Sequence, residues 1–194
     1  MSPAPVPQPS IHPAPLPYER KLAPRALAEV TLAVIHCTEL PDLATARQYG
    51  EQVRYDSGTG NSGHYYIDRD GRIEQYVALD RIAHHVRGQN AHSIGIELVN
   101  TGRYPHWLDS RHQAMHEPYP QAQVEALLAL LAWLPQVLPS LRDIAGHEDL
   151  DTAEEAASDD PSLRVPRKRD PGPLFPWERV MAAIPLRRIG ARRS

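Results

Sequence analysis

The chain has 194 residues and a mass of 21.7 kDa, with 41% hydrophobic and 23% charged residues, the make-up of one ordinary globular domain with a real core. A net charge of −3 and a sequence pI near 6.4 supply no basic face for general nucleic-acid binding. A single cysteine excludes an internal disulfide and a thiolate zinc cluster, and no stretch approaches the ~20 apolar residues of a membrane span.

Residues 1–24 carry eight of the twenty prolines, at 3, 5, 7, 9, 13, 15, 17 and 24. Proline lacks an N–H and fixes φ, so this arm is expected to be extended and polyproline-like, without ladder pairing, and reads first as a plain tail. It shows neither a basic n-region nor an apolar h-region, so a cytoplasmic location is expected, with periplasm or cell envelope as the alternative if a leader has been removed. Residues 25–194 are expected to form one domain. VTLAVIHC (30–37) is a short β-branched apolar run and predicts a buried strand; LATARQYGEQVRY (43–55) predicts a helix, and SGTGNSG (57–63) a loop. HYYIDRDGRIEQYV (64–77) predicts a hairpin around Asp70-Gly71. A short strand is expected at 82–86, a buried strand at SIGIELVN (93–100), and irregular chain over 101–119. Val124, Leu127, Leu128, Leu131 and Leu134 repeat at helical spacing and predict a helix over 121–138, ended or kinked by Pro135. DIAG (143–146) predicts a brief strand ending on His147, DLDTAEEAASDDPS (149–162) an exposed acidic loop, and FPWERVMAAI (175–184) a last helix with Pro176 in its first turn. Interleaved strands and helices with one hairpin imply an α/β fold, a mixed central sheet flanked by helices.

Two histidines stand where such folds place their sites, at the ends of buried strands: His36 in VIHCTE and His147 in IAGHEDL. Taken singly, each reads first as a hydrogen-bonded structural residue. With Asp170, held by the stiff Pro171-Gly172-Pro173, they make a candidate His-His-Asp triad that suits zinc and leaves one tetrahedral position open. Cys37 is a neighbour of His36, but adjacent strand residues face opposite ways, so it reads as core packing. Glu97 interrupts an apolar strand. A carboxylate there is costly unless paired or functional, so it is either a buried ion pair or a proton acceptor near the metal. Lys168 is either a solvated cation or one aimed at a developing oxyanion.

The ordered series VIHxT, SxHYxIDRDGxIxQYV, AxH, NxxSIGIELVN, AGH and KxDPGPLFPW resembles the zinc-dependent N-acetylmuramoyl-L-alanine amidases of the type 2 amidase family, relatives of phage-lysozyme-type amidases and peptidoglycan recognition proteins. The resemblance spans about 30–180 and makes 25–194 an expected zinc amidase domain. It implies zinc on His36, His147 and Asp170, Glu97 and Lys168 as catalytic groups, and His85 and Asn90 as substrate-binding residues. The implied reaction is hydrolysis of the amide between N-acetylmuramic acid and L-alanine in peptidoglycan or its turnover fragments. The alternative is a non-catalytic peptidoglycan-binding module, which the complete ligand set argues against. Peptidoglycan or a muropeptide is the expected partner, with no nucleic acid and no membrane span; nothing in the sequence fixes an oligomeric state. Three departures stand out. His147 and Asp170 lie 23 positions apart, with the acidic stretch between them; Gly63 stands where some relatives carry a tyrosine; and His84-His85 stands where the family often has Trp-His.

Overall fold

The structure is a computed structural model and describes residues 5–190; Pro3 of the arm and residues 191–194 lie outside the described residues. The elements run β1 (Ile11–Pro13), β2 (Leu32–Cys37), α1 (Leu43–Glu51), β3 (Tyr65–Ile67), β4 (Ile73–Gln75), β5 (Ser93–Leu98), α2 (Gln121–Val137), β6 (Asp143–Gly146), α3 (His147–Leu150), β7 (Glu154–Ala156), β8 (Arg164–Pro166), α4 (Trp177–Ala183) and β9 (Arg187–Arg188). Seven strands form one sheet in the order β1-β4-β3-β5-β2-β6-β9, and β7 and β8 make a separate two-stranded ribbon. Within the large sheet the β3–β4 hairpin is the antiparallel pairing and the others are parallel. This is the mixed α/β architecture that the interleaved pattern predicts.

The period-two alternation of β2 and β5 divides the sheet into two faces. On one face Ala33, Ile35, Ile94, Ile96 and Leu98 meet Leu127, Leu130, Leu131 and Leu134 of α2, all fully buried. Each such leucine contributes about 1.5–3 kcal/mol from burial. Gln123, at 0% exposure, is the polar member of that helix face, and its amide donates to the carbonyls of Ile67 (2.9 Å) and Val99 (3.0 Å), pinning the helix to the strand ends. The opposite face carries His36 on β2, Tyr66 on β3 and Ser93, Gly95 and Glu97 on β5. His36 and Tyr66 are both register partners of Glu97, so these three side chains stand in one row across adjacent strands.

Several expectations are corrected. The arm does enter the sheet: β1 pairs parallel with β4, and the amides of Ala14 and Leu16 donate to the carbonyls of Gln75 (2.9 Å) and Tyr76 (3.0 Å). Prolines at every second residue remove donors from only one side of an extended chain. Pro13, Pro15 and Pro17 alternate with the residues that bond inward, and so close the sheet edge against further pairing. Leu16, Tyr18 and Leu22 are buried beside Leu40, Ala46 and Tyr76 in a second apolar cluster. Helix α1 stops at Glu51, not 55, because the amides of Arg54 and Tyr55 both turn to the carbonyl of Thr59. Residues 82–86 form no strand; the neighbouring contact is a single bridge between Pro24 and Arg81. His147 begins a helical turn, α3, in place of ending β6. The acidic stretch is not a free loop, since β7 and β8 pair antiparallel across it. Alternation there is masked by the exposure of both faces of β7. Pro135 lies in the last turn of α2, which ends at Val137.

Candidate metal centre

Three separate elements converge at the carboxyl end of β2. His36 leaves the strand toward the open face. His147 follows Gly146 at the end of the adjacent β6. Asp170 arrives on the loop after β8. A Cβ at Gly146 would lie 2.9 Å from Cδ of Pro171, so only glycine lets the Asp-Pro loop come this close. That loop is tied down by the Glu148 amide donating to the Asp170 carbonyl (2.9 Å) and the Tyr119 hydroxyl donating to the Pro171 carbonyl (2.6 Å).

Nδ1 of His36 lies 2.9 Å and Nδ1 of His147 lies 3.1 Å from the same oxygen, Oδ2 of Asp170. All three residues are buried, and one ligand atom from each lies within 4.8 Å of the others. Tetrahedral ligands at ~2.0–2.1 Å from one ion stand roughly 3.3 Å apart, close to these separations. Oδ1 of Asp170 and Nε2 of His147 are buried without a hydrogen-bond partner. Burial pushes the His36 imidazole down to about 4, with His147 adding to the fall and Asp170 opposing it, so the ring is neutral near pH 7 and has a lone pair to give. Burial alone would raise the Asp170 carboxyl, but the two imidazoles outweigh it and hold it well below the usual carboxylate range. Two imidazoles and an ionised carboxylate, dry and convergent, fit a zinc-type divalent ion.

Glu97 stands beside this group, with Oε1 3.9 Å from Nδ1 of His36 and its side chain 14% exposed. Burial raises its carboxyl well above the usual range, the Asp170 charge adds to this, and Lys168 opposes it. Among the described residues no arginine or lysine ion pair holds Glu97, so the ion-pair alternative has no partner. A Cβ at Gly63 would come within 2.8 Å of its Cγ, so the glycine backbone packs directly against the Glu97 side chain. Lys168, Glu97, His36 and His147 share one open cleft of about 800 Å³, walled further by Tyr55 and Trp107.

His85 and Asn90 border the same cleft, and both are engaged within the chain. His85 Nδ1 lies 3.0 Å from His36 Nε2, and Asn90 Oδ1 accepts from the amides of His85 (3.0 Å) and Val86 (2.8 Å). Burial, with the other imidazoles, holds His85 well below the ordinary histidine range. Cys37 is buried on the other face as packing. Sequence reasoning missed Ser93 and Gly95, though the polar, small and acidic residues at 93, 95 and 97 of SIGIE repeat at the strand period.

The family model described as N-acetylmuramoyl-L-alanine amidase matches residues 26–173. The 1,6-anhydro-N-acetylmuramyl-L-alanine amidase AmpD of Enterobacter cloacae is 35% identical over 127 residues, covering 61% of this chain and 54% of that protein. The N-acetylmuramoyl-L-alanine amidase AmiD of Escherichia coli is 30% identical over 177 residues, covering 83% and 55%. The solved complex of E. coli AmiD with anhydro-N-acetylmuramic acid-L-Ala-D-gamma-Glu-L-Lys superposes with a TM-score of 0.61 at 25% identity, covering 83% of this chain and 60% of that one. The chain thus spans about half the length of the curated relatives it matches.

Proposed function

The chain belongs to the N-acetylmuramoyl-L-alanine amidase family, and from that premise we propose that it hydrolyses the amide between the lactyl group of N-acetylmuramic acid and the L-alanine of a stem peptide. The observation that carries the reading is the convergence of His36 Nδ1, His147 Nδ1 and Asp170 Oδ2 on one point beside Glu97 at the base of an open cleft. In this reading His36, His147 and Asp170 hold zinc. A zinc ion there supplies Lewis acidity, which brings the pKa of water toward ~7 and polarises a carbonyl oxygen.

Glu97 takes the proton of the attacking water and returns it to the departing alanine nitrogen, a role suited to a carboxyl that burial makes more basic than an ordinary glutamate. Lys168, which lines the same cleft as Glu97, is in this reading the cation for the oxygen on which negative charge develops. His85 and Asn90 keep the wall of the cleft in shape through their bonds to His36 and to the main chain. The substrates are muropeptides, with soluble anhydromuramyl fragments, the kind named for the Enterobacter relative, as the first choice and the cytoplasm as the matching compartment.

Incubation of the protein with anhydromuramyl-peptide and, separately, with intact sacculi tests this, with free stem peptide as the readout. Release from the soluble fragment is expected. Release from neither would overturn the reading in favour of a binding module, and release from sacculi alone would move the enzyme to wall remodelling.

A further inference from the structure

A chain of hydrogen bonds leads away from the back of His36, and its direction is fixed from the far end. The Ser93 hydroxyl donates its one proton to the Gln89 carbonyl (2.8 Å). Its 3.1 Å contact with His85 Nε2 therefore has the imidazole N–H donating and Oγ accepting. A neutral His85 then carries its lone pair on Nδ1, which accepts from His36 Nε2–H at 3.0 Å. His36, with its proton on Nε2, is left with a bare Nδ1 facing Asp170 Oδ2 at 2.9 Å. Two acceptors at that distance repel unless a cation lies between them.

The frame around the relay is built for it. Ser93 is fully buried. Asn90 fixes the backbone at His85 and Val86 through two accepted amides. A Cβ at Gly95 would lie 2.7 Å from His85 Cγ, so the glycine of β5 makes room for the ring.

We propose that His85 and Ser93 are positioning residues, a one-way donor relay that holds His36 in the tautomer whose Nδ1 is aimed at the metal. The proposal rests on the zinc reading above. A histidine ligand whose outer N–H loses its acceptor typically costs about 10- to 100-fold in metal affinity.

Zinc affinity is measured by competition with a chromophoric chelator for wild type, His85→Leu, His85→Gln and Ser93→Ala, and histidine tautomers are read from imidazole ¹⁵N shifts. About 10- to 100-fold weaker zinc binding is expected for His85→Leu, a smaller loss for Ser93→Ala, and near wild-type affinity for His85→Gln, whose amide keeps an acceptor and a donor. The ¹⁵N spectrum is expected to show His85 protonated on Nε2. Unchanged affinity in folded His85→Leu, equal loss in His85→Gln and His85→Leu, or a proton on His85 Nδ1 would overturn the relay. Should the leucine variant not fold, the wild-type spectrum decides. A wild type that takes up no zinc ends the metal reading, and the His85 tautomer on that same sample still decides the relay.

Discussion

Replacing Arg103 with methionine is expected to be among the most damaging changes outside the His36–His147–Asp170 cluster. Its guanidinium has five N–H donors, and each finds an acceptor. Nε donates to Glu39 Oε1 (2.7 Å), Nη2 to Glu39 Oε2 (2.8 Å) and the Arg167 carbonyl (3.4 Å), and Nη1 to Gln113 Oε1 (3.2 Å) and the Pro166 carbonyl (2.9 Å). The Arg103 side chain is 1% exposed and that of Glu39 8%. Methionine fills much of the volume but leaves the buried carboxylate without its cation, with the backbone amide of residue 103 (3.2 Å to Oε1) still donating to it, and breaking a buried pair this way costs about 3–5 kcal/mol. At ~2–4 °C per kcal/mol for a domain of this size, the midpoint falls by roughly 6–20 °C. Thermal and urea unfolding followed by circular dichroism measure it. The double variant Arg103→Met, Glu39→Met should recover a large part of the loss, because removing both members of a buried pair is often close to neutral. A loss under about 1 kcal/mol in the single variant, or no recovery in the double, would refute the reasoning. Because the Pro166 and Arg167 carbonyls lie just ahead of Lys168 and Asp170, the single variant should weaken zinc binding as well.

On the proposed chemistry, Glu97→Gln keeps zinc, seen by metal analysis, and loses at least about 100-fold in kcat on anhydromuramyl-peptide, the scale of general acid–base catalysis. His64 gives a pH dependence away from the metal: its Nδ1 accepts from the Gly95 amide, its Nε2 lies 3.0 Å from the Arg81 carbonyl and 2.8 Å from Arg25, and burial with the Arg25 charge brings it to about 3. The unfolded chain binds this proton at about 6.5 and the folded one does not, so stability is complete above pH ~6.5 and falls as pH drops toward ~3, by up to about 5 kcal/mol. Urea midpoints at pH 7, 5 and 4 should fall more steeply in wild type than in His64→Gln, and parallel slopes would contradict this. Ala14→Pro removes the amide bonded to Gln75 and should cost about 1–3 kcal/mol, while Pro15→Ala, whose nitrogen faces away from the sheet, should stay within about 1 kcal/mol; equal effects would refute the edge-strand account.

The buried strands were legible because both faces of β2 and β5 are covered, and α2 because its leucines repeat at helical spacing. Proline content alone misled at the arm. Its parity, odd positions throughout 3–17, held the information that one side could still bond. The β7–β8 ribbon was hidden by its charge, since Glu154 and Glu155 read as loop when no face is buried. His36, His147 and Asp170 lie far apart along the chain, and no periodicity brings them together; a β2–β6 pairing and a glycine at 146 do. The motif order places His85 in the substrate groove, and its bond to His36 depends on a segment, 82–86, that pairs with no strand.

Metal content read alongside cleavage tests the central claim most directly. Wild type stripped with a chelator and reloaded is predicted to hold a single zinc ion per chain and to regain hydrolysis of anhydromuramyl-peptide in proportion to zinc bound, while Asp170→Ala holds little zinc and stays inactive. Cleavage that persists in the stripped protein, or Asp170→Ala binding zinc as tightly as wild type, would contradict the account.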